Sequence, residues 1–309
     1  MPLGGPFASR IILFRRVVTV PGSVRLLGAG DIRGIAGRLG VRPTKRLGQN
    51  FVVQQGTVRQ ITALAAVRPG DVILEVGPGL GSLTLALLES AVRADARLVA
   101  VEIDPLLADE LPKTIAERAP DAADRVTVLT ADALAIGEKE VGAAAPTVLA
   151  ANLPYNVAVP VVLRLLAALP SVERGVVMVQ AEVADRMCAG PGSRVYGVPS
   201  VKLAWYADAR LAGTVPRSVF WPVPNVDSKL VAFTRRDPPP TTASRKEVFA
   251  VIDAAFGQRR KTLRAALAGW AGSPARAEEA LRAAGVDPGA RGEALTVAEF
   301  AGIAEFDRN

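Results

Sequence analysis

Histidine is absent from this 309-residue sequence, and cysteine occurs once, at position 188. Without histidine the chain has no histidine-based catalytic triad, no imidazole general base and no imidazole metal ligand. A single cysteine forms no internal disulfide and no zinc cluster, so no metal site is expected, and the composition fits a reducing compartment, taken as the cytoplasm. Any catalysis must then rest on positioning, carbonyl acceptors, carboxylates or a cofactor.

Long apolar runs are also missing. No stretch of about 18 or more uncharged apolar residues occurs, so no membrane span is predicted. Half of the residues are hydrophobic, which is enough for a substantial core in a chain of 309 residues. The sequence therefore predicts a globular protein with one large or two modest domains.

The net charge of +7 is unevenly distributed. Residues 1–50 contain nine Lys or Arg and one Asp, whereas the rest of the chain contains 28 basic and 29 acidic residues. A basic arm on a near-neutral body suits a polyanionic partner, nucleic acid before membrane, and the alternative is ordinary solvated charge.

Residues 1–41 form a basic N-terminal extension and a candidate for disorder. Residues 1–22 lack the apolar core and cleavage site of a signal peptide, so a disordered tail or a start codon assigned too far upstream explains them better. Within the extension, Asp31 is placed to cap a short helix with Ile32, Ile35 and Leu39 on one side.

Strand and helix signals alternate in the next part of the chain, residues 42–236. Five short apolar segments are predicted as strands: Val72–Val76, Leu98–Val101, Val126–Leu129, Thr147–Ala151 and Gly175–Val179. Strands that are apolar on both faces and separated by helices predict a parallel sheet covered on both sides, an α/β doubly wound fold. Val215–Asn225 is too rich in proline for a central strand and reads as an aromatic loop before a closing strand, Lys229–Thr234.

A linker at Asp237–Thr242 separates this part from a small all-helical domain, residues 243–309. The predicted helices are Lys246–Phe256, Arg260–Trp270, Pro274–Ala284 with Ser273 as its cap, and one that starts with a capping box at Thr296 and Glu299.

A glycine-rich turn, Glu75-Val-Gly-Pro-Gly-Leu-Gly81, follows the first of these strands and opens a helix. Its glycines let a ligand approach the backbone at a helix N-terminus. The G-x-G-x-G spacing departs from the dinucleotide fingerprint, which makes a dehydrogenase a weaker interpretation. The structural alternative is a tight turn between strand and helix that binds no ligand. Glu102 and Asp132 follow the next two strands, where they can accept from ribose hydroxyls and from an adenine amino group.

The segment Asn152-Leu-Pro-Tyr155 follows the fourth predicted strand. Pro154 favours an extended Leu153, so that the Leu153 carbonyl and the Asn152 amide oxygen can face one space, with the ring of Tyr155 beside them. Two acceptors and a flat ring suit an exocyclic amine on a nucleobase. The alternative is an ordinary proline turn at a strand end.

From about residue 42 to its end, the chain resembles the small-subunit ribosomal RNA adenine N6,N6-dimethyltransferases, which use S-adenosylmethionine. The resemblance rests on Leu47-Gly-Gln-Asn-Phe51, Glu75-Val-Gly-Pro-Gly-Leu-Gly81, Val101-Glu-Ile-Asp104, Asn152-Leu-Pro-Tyr155, Val215-Pro-Arg-Ser-Val-Phe220 with Pro222-x-Pro224-x-Val226-Asp-Ser228, and Phe256-Gly-Gln-Arg-Arg-Lys-Thr-Leu-Arg264. Together these motifs are highly specific. Two departures stand out: residues 1–40 lie outside the pattern, and Ala181 stands where some relatives have lysine.

The resemblance implies a Rossmann-like methyltransferase sheet with a C-terminal helical RNA-binding domain, and it implies roles for individual residues. The implied cofactor contacts are Asn50, Val52, Gly77, Glu102, Asp132 and Asn152. The implied catalytic residues are Asn152 and Leu153, with Tyr155 and Phe220 stacking on the target base. For Phe220 the alternative is a loop aromatic packed into the core.

Arg259, Arg260, Lys261 and Arg264 fall on a predicted helix and are the expected RNA contacts, with a solvated helix face as the alternative. The implied partner is small-subunit ribosomal RNA in the immature (pre-30S) particle, bound by a monomer, with two adjacent adenosines as targets. The rivals are a large-subunit adenine methyltransferase of the macrolide-resistance type and a ribosome assembly factor whose methylation is incidental.

Overall fold

The computed structural model describes residues 24–41, 50–141, 144–154 and 156–306. Within them the strands are β1 (Phe51–Val52), β2 (Val72–Val76), β3 (Arg97–Glu102), β4 (Val126–Thr130), β5 (Val148–Asn152), β6 (Arg174–Gln180), β7 (Ala207–Val215), β8 (Phe220–Trp221) and β9 (Ser228–Arg235). The helices are α1 (Ala29–Leu39), α2 (Gln55–Ala65), α3 (Ser82–Ala94), α4 (Pro105–Arg118), α5 (Glu138–Val141), α6 (Ala158–Ala168), α7 (Ala181–Met187), α8 (Val198–Ala204), α9 (Arg245–Gly257), α10 (Leu263–Ala266), α11 (Ala268–Ala271), α12 (Pro274–Ala283) and α13 (Val297–Ala304). None of these helices is long and apolar enough to cross a membrane.

Seven strands form one sheet in the order β4-β3-β2-β5-β6-β9-β7. The five predicted strands are present and pair in parallel, as expected. The two further strands are antiparallel: β9, which contains the predicted closing strand, pairs antiparallel with β6, and β7 pairs antiparallel with β9. The sequence interpretation missed β7, an edge strand whose exposed residues and irregularity at Gly213 break up its apolar pattern.

The expected aromatic loop contains a short strand. β8 pairs antiparallel with β1, which places Val52 opposite Phe220 and Phe51 opposite Trp221. The Phe51 and Trp221 rings stack with their centroids 6.3 Å apart. Two residues are too few to produce an alternating pattern, so this pairing is not readable from the sequence.

The sheet has a separate apolar core on each face. Ile73 and Leu74 are neighbours in β2 and both are fully buried, but they belong to different clusters because successive strand side chains point to opposite faces. Ile73 packs with residues of α1 to α4, and Leu74 with residues of α6, α8 and the C-terminal helices. This is the covered sheet that the apolar strands predict.

The segment 24–41 departs from the expected disorder of residues 1–41. Ile32 and Ile35 of α1 are buried in the core of the sheet domain, so this part of the extension packs with that domain. The predicted helix is present, but Asp31 is not its cap. The helix begins after Gly28, and the Asp31 carboxylate accepts from the Gly28 N–H at 2.8 Å and pairs with Arg118. Residues 1–23 lie outside the described residues.

The C-terminal helices differ from the prediction at one place. Arg260–Trp270 does not form a single helix, because residues 258–261 form a turn and only then do the short helices α10 and α11 follow. The N–H groups of Leu263 and Arg264 donate to the carbonyls of Ala290 and Pro288, so they are unavailable to a helix starting at residue 260. The predicted cap at Ser273 and the capping box at Thr296 are confirmed.

The C-terminal helices and the sheet domain share one apolar cluster across the predicted boundary. Phe249 of α9 packs edge-on against the rings of Trp205 and Tyr206, at centroid distances of 6.1 and 6.2 Å. Lys202 of α8 pairs with Asp253 and lies over the Phe249 ring. The linker therefore separates the two parts in sequence, but they share one hydrophobic core.

Candidate active site

A pocket of about 260 Å³ opens at the carboxyl ends of the parallel strands. Ligands of open α/β sheets bind at this edge. The residues implied for the cofactor and the target amine that line it are Asn50, Val52, Gly77, Glu102, Asp132, Asn152 and Leu153. The structure thus brings together residues that lie up to about a hundred positions apart in the chain.

The glycine turn lines the pocket and leads into α3. Gly77, Gly79 and Gly81 all have positive φ, at 69°, 57° and 96°, which side chains other than glycine rarely adopt. A Cβ on Gly79 would also lie 3.0 Å from the Phe51 ring. The turn consequently presents bare backbone at a helix N-terminus, as a ligand with polar groups requires.

Glu102 is tied directly to this turn. Its Oε2 accepts from the Gly79 N–H at 3.0 Å, and its Oε1 accepts from the Asp104 N–H at 3.0 Å. Burial raises the pKa of the Glu102 carboxyl, and the backbone donors of Asp104 and Gly79 oppose that shift. Each carboxylate oxygen can accept more than one hydrogen bond, so the group can hold the turn and still accept from a ligand hydroxyl.

A second carboxyl, Glu75, lies deeper and was not singled out by the sequence. It is 1% exposed, and within the described residues neither of its oxygens has a hydrogen bond of normal geometry. Burial raises the pKa of Glu75 to about 8, the nearby Thr84 hydroxyl lowers it, and the charge of Glu102 raises it further. At neutral pH this group is therefore largely protonated beneath the glycine turn.

The lining of the pocket also includes a third acid and two apolar side chains. Asp132 is exposed, and its Oδ1 accepts from the Leu134 N–H at 2.9 Å, which fixes the turn after β4. Ile103 and Leu134 line the pocket and are 56% and 39% exposed. Their exposure is the feature that sequence reasoning missed, although each stands within two residues of a predicted acid.

Asn152 ends β5 and lines the pocket together with Asn50. Its Nδ2 donates to the backbone carbonyl of Asn50 at 3.0 Å. Since the amide nitrogen is engaged, the same side chain offers its oxygen as the acceptor. The Leu153 N–H donates to the Met178 carbonyl at 3.1 Å, which continues the pairing of β5 with β6 and fixes the start of the Asn-Leu-Pro-Tyr segment.

The structure describes one of the two predicted stacking residues. Tyr155 lies outside the described residues, so its role stays a prediction. Phe220 is 2% exposed in the core beside Val52 and does not line the pocket. Its position matches the alternative of an aromatic side chain packed into the core, because the β1–β8 pairing draws it inward.

The four predicted RNA contacts do not form one free face. Arg259 pairs with Glu293 at 3.0 Å and Arg264 pairs with Glu278 at 2.8 Å. Arg260 and Lys261 are exposed on the turn after α9. Among the described residues, no group of three or more Asp, Glu or Cys side chains could hold a metal ion.

The doubly wound sheet, with a pocket at the carboxyl ends of its parallel strands beside a glycine turn, defines the class as an α/β fold of the Rossmann-like kind. A sequence profile of the ribosomal RNA adenine dimethylases matches residues 41–308. The chain therefore belongs to the ribosomal RNA adenine dimethylase family, and by that membership it is a ribosomal RNA adenine dimethyltransferase.

Similar proteins agree with this assignment. Ribosomal RNA small subunit methyltransferase A of Thermobifida fusca is 64% identical over 91% of this chain and 96% of its own length. The protein of that name from Kineococcus radiotolerans is 65% identical over 90% of this chain and 91% of its own. The 23S rRNA methyltransferase ErmE is 27% identical, with a TM-score of 0.60 over 83% of this chain and 98% of its own.

A dimethyladenosine transferase from Plasmodium falciparum has the same fold. Its TM-score is 0.67 over 82% of this chain and 95% of its own, at 22% identity. The sheet with its helices is thus the architecture of known methyltransferases.

Proposed function

We propose that this enzyme transfers methyl groups from S-adenosylmethionine to N6 of two adjacent adenosines near the 3′ end of small-subunit ribosomal RNA. The observation that carries the proposal is the pocket that Asn152, whose side chain is held by Asn50, lines together with the glycine turn after β2. It acts as a monomer, in the cytoplasm, on the immature small subunit.

The residues of the pocket fit S-adenosylmethionine. The positive-φ glycines leave room for a ligand against the backbone, Glu102 supplies a carboxylate for ribose hydroxyls, and Asp132 supplies one for the adenine amino group. Ile103 and Leu134 give the adenine ring apolar surfaces. When bound, the sulfonium supplies an activated methyl group with a good leaving group.

The target amine needs orientation more than it needs a base. The N6 lone pair of adenine is delocalised into the ring, so hydrogen bonds from its two hydrogens to Asn152 Oδ1 and the Leu153 carbonyl favour a tetrahedral, nucleophilic nitrogen. In-line positioning then supplies most of the catalysis, which a chain without histidine can provide. Tyr155 is proposed to stack on the flipped base, at about 1–3 kcal/mol.

Two rivals are separable. A large-subunit methyltransferase is less supported, because identity to ErmE is 27% whereas identity to the small-subunit enzymes reaches 65%. An assembly factor with incidental methylation would need the same RNA surfaces but not the Asn152 geometry.

The test is to supply the purified protein with S-adenosylmethionine and isolated small or large subunits from a strain that lacks the modification. Mapping of the products should find two adjacent dimethylated adenosines in small-subunit RNA only. Methylation of large-subunit RNA, or binding to small subunits without methyl transfer, would contradict the proposal.

A further inference from the structure

A loop of the sheet domain, residues 190–197, is held by the C-terminal helices. We call it the bridging loop; it connects α7 to α8. The Gly192 N–H donates to the Glu293 carbonyl at 2.8 Å, and the buried Tyr196 hydroxyl donates to the Leu295 carbonyl at 2.7 Å. The Tyr196 ring packs edge-on against Phe256, with centroids 6.0 Å apart. The loop therefore has a fixed position relative to both parts of the chain.

Arg259 makes a third connection, and it uses both ends of its guanidinium. Its Nε donates to Glu293 Oε2 at 3.0 Å, while an Nη donates to the Arg194 carbonyl at 2.6 Å. Arg194 is exposed on the bridging loop, and Glu293 lies on the segment before α13. A planar guanidinium suits this two-sided contact, whereas an ammonium on a flexible stem does not.

Four exposed basic residues lie in the three segments that this contact joins. Arg260 and Lys261 directly follow Arg259 on the turn after α9, Arg194 is the residue whose carbonyl Arg259 binds, and Arg291 lies two residues from Glu293. Within the described part of the chain, none of these four has a carboxylate within ion-pair distance, whereas Arg259 and Arg264 both do. The positive charges without an ion pair therefore belong to these four residues and not to Arg259.

We propose that Arg259 is a positioning residue: with Glu293 it holds the bridging loop so that Arg194 joins Arg260, Lys261 and Arg291 in one phosphate-binding surface for the substrate RNA. This inference rests on the proposed function, since it concerns the same RNA. It changes the role of Arg259 from a contact to a support, and it adds Arg194, which the sequence did not indicate, as a contact.

The two possible roles of Arg259, as a phosphate contact or as a positioning residue, predict opposite effects of removing the Glu293 carboxylate. If Arg259 bound phosphate itself, removing the Glu293 carboxylate would free a cation and strengthen RNA binding. If Arg259 positions the loop, Glu293→Ala weakens RNA binding even though it makes the protein more basic. Arg259→Lys also distinguishes the two roles, because lysine keeps the positive charge but cannot bind Glu293 and the Arg194 carbonyl at the same time as a guanidinium does.

The experiment measures the affinity of the full-length protein for isolated, unmethylated small subunits at several salt concentrations. Arg194→Ala should reduce the slope of log affinity against log salt by about 1, the expected loss for one phosphate contact. Arg259→Lys and Glu293→Ala should cause a similar reduction. Combining Arg194→Ala with Glu293→Ala should cost no more than either change alone, because both remove the same contact.

Arg282→Ala is the matched control, as it removes an exposed arginine that pairs with Glu278 in the same helical part. It should leave the slope unchanged, and calorimetry with S-adenosylmethionine should give wild-type affinity for every variant. Tighter RNA binding by Glu293→Ala, or a wild-type slope for Arg194→Ala, would overturn the inference. Failure of the wild-type protein to methylate small subunits would instead overturn the proposed function.

Discussion

The side chain of Asn152 and the backbone carbonyl of Asn50 are joined by a 3.0 Å hydrogen bond, although 102 residues separate them. The bond decides which way the amide faces, since the nitrogen is committed to Asn50 and the oxygen is left to accept. A residue at the start of the sheet domain thereby sets the acceptor at the end of β5.

Asn152→Ala should lower methyl transfer on the order of 100-fold, the scale of losing one positioned hydrogen-bonding group in the transition state. RNA affinity should stay near wild type, because the basic surfaces are unchanged. Single-turnover transfer to isolated small subunits, with binding measured in parallel, checks both. Near-normal transfer would remove Asn152 from the catalytic centre.

Glu102→Ala should weaken S-adenosylmethionine binding by about 1.5–3 kcal/mol, because it removes hydrogen bonds to an ionised acceptor. The substitution also removes the acceptor of the Gly79 N–H, so the glycine turn loses its hydrogen bond to the residue that ends β3. Calorimetry measures the effect, and Glu279→Ala, an exposed carboxylate on α12, is the control. Equal affinities of the two variants would show that the acid after β3 does not serve the cofactor.

Glu75 should make stability depend on pH. Because the pKa of Glu75 is raised from 4.5 to about 8 in the folded protein, folding favours its protonated form. The contribution of this group to the free energy of unfolding is greatest below pH 4.5 and is lost as the pH rises to about 8. Urea unfolding across that interval should show a smaller decline for Glu75→Gln than for wild type, with Glu279→Gln unchanged. Identical pH profiles would mean that Glu75 is not buried as described.

Phe220 offers a test between its two interpretations. As a core residue, Phe220→Ala should cost about 3–5 kcal/mol of stability, while Phe220→Leu should keep most of the stability and near-normal methyl transfer. As a base-stacking residue, Phe220→Leu would instead keep stability and lose transfer. Urea unfolding and single-turnover transfer on the two variants distinguish the cases.

Ile32→Ala should destabilise the protein by about 2–5 kcal/mol, because the side chain of this α1 residue is fully buried against the sheet domain. Arg33→Ala, an exposed neighbour on the same helix, should change little. The midpoint and slope of urea unfolding give both values. An unaltered midpoint for Ile32→Ala would mean that α1 does not pack on the domain in solution.

Sequence reasoning succeeded where one local pattern determines one structure. Most residues of the parallel strands are apolar, with Glu75 as the one charged residue in Val72–Val76, and Ser273 and Thr296 cap the helices that start directly after them. The pocket followed from these strands, because acids and glycines after parallel strands must meet at one edge.

What the sequence did not predict depends on partners far away in the chain. β7 lies at a sheet edge, β8 has two residues paired with β1, and the N–H groups of Leu263 and Arg264, just after the turn at residues 258–261, donate to the carbonyls of Ala290 and Pro288. Arg259 illustrates the same point, since no local pattern shows that it pairs with Glu293 and binds the Arg194 carbonyl. The strand pairing of Phe220 with Val52 was likewise not predicted, because it lies in a proline-rich segment.

The shared apolar core, with Phe249 set against Trp205 and Tyr206, has a consequence for substrate choice. It keeps the distance between the methylation pocket and the basic turn after α9 constant, since neither part can slide without breaking that packing. With the proposed RNA contacts at that turn, we expect an RNA to be accepted only if its backbone and its target bases are already spaced to match. We therefore expect the enzyme to select RNA by its tertiary structure, so that an unfolded strand of the same nucleotide sequence should be a poor substrate.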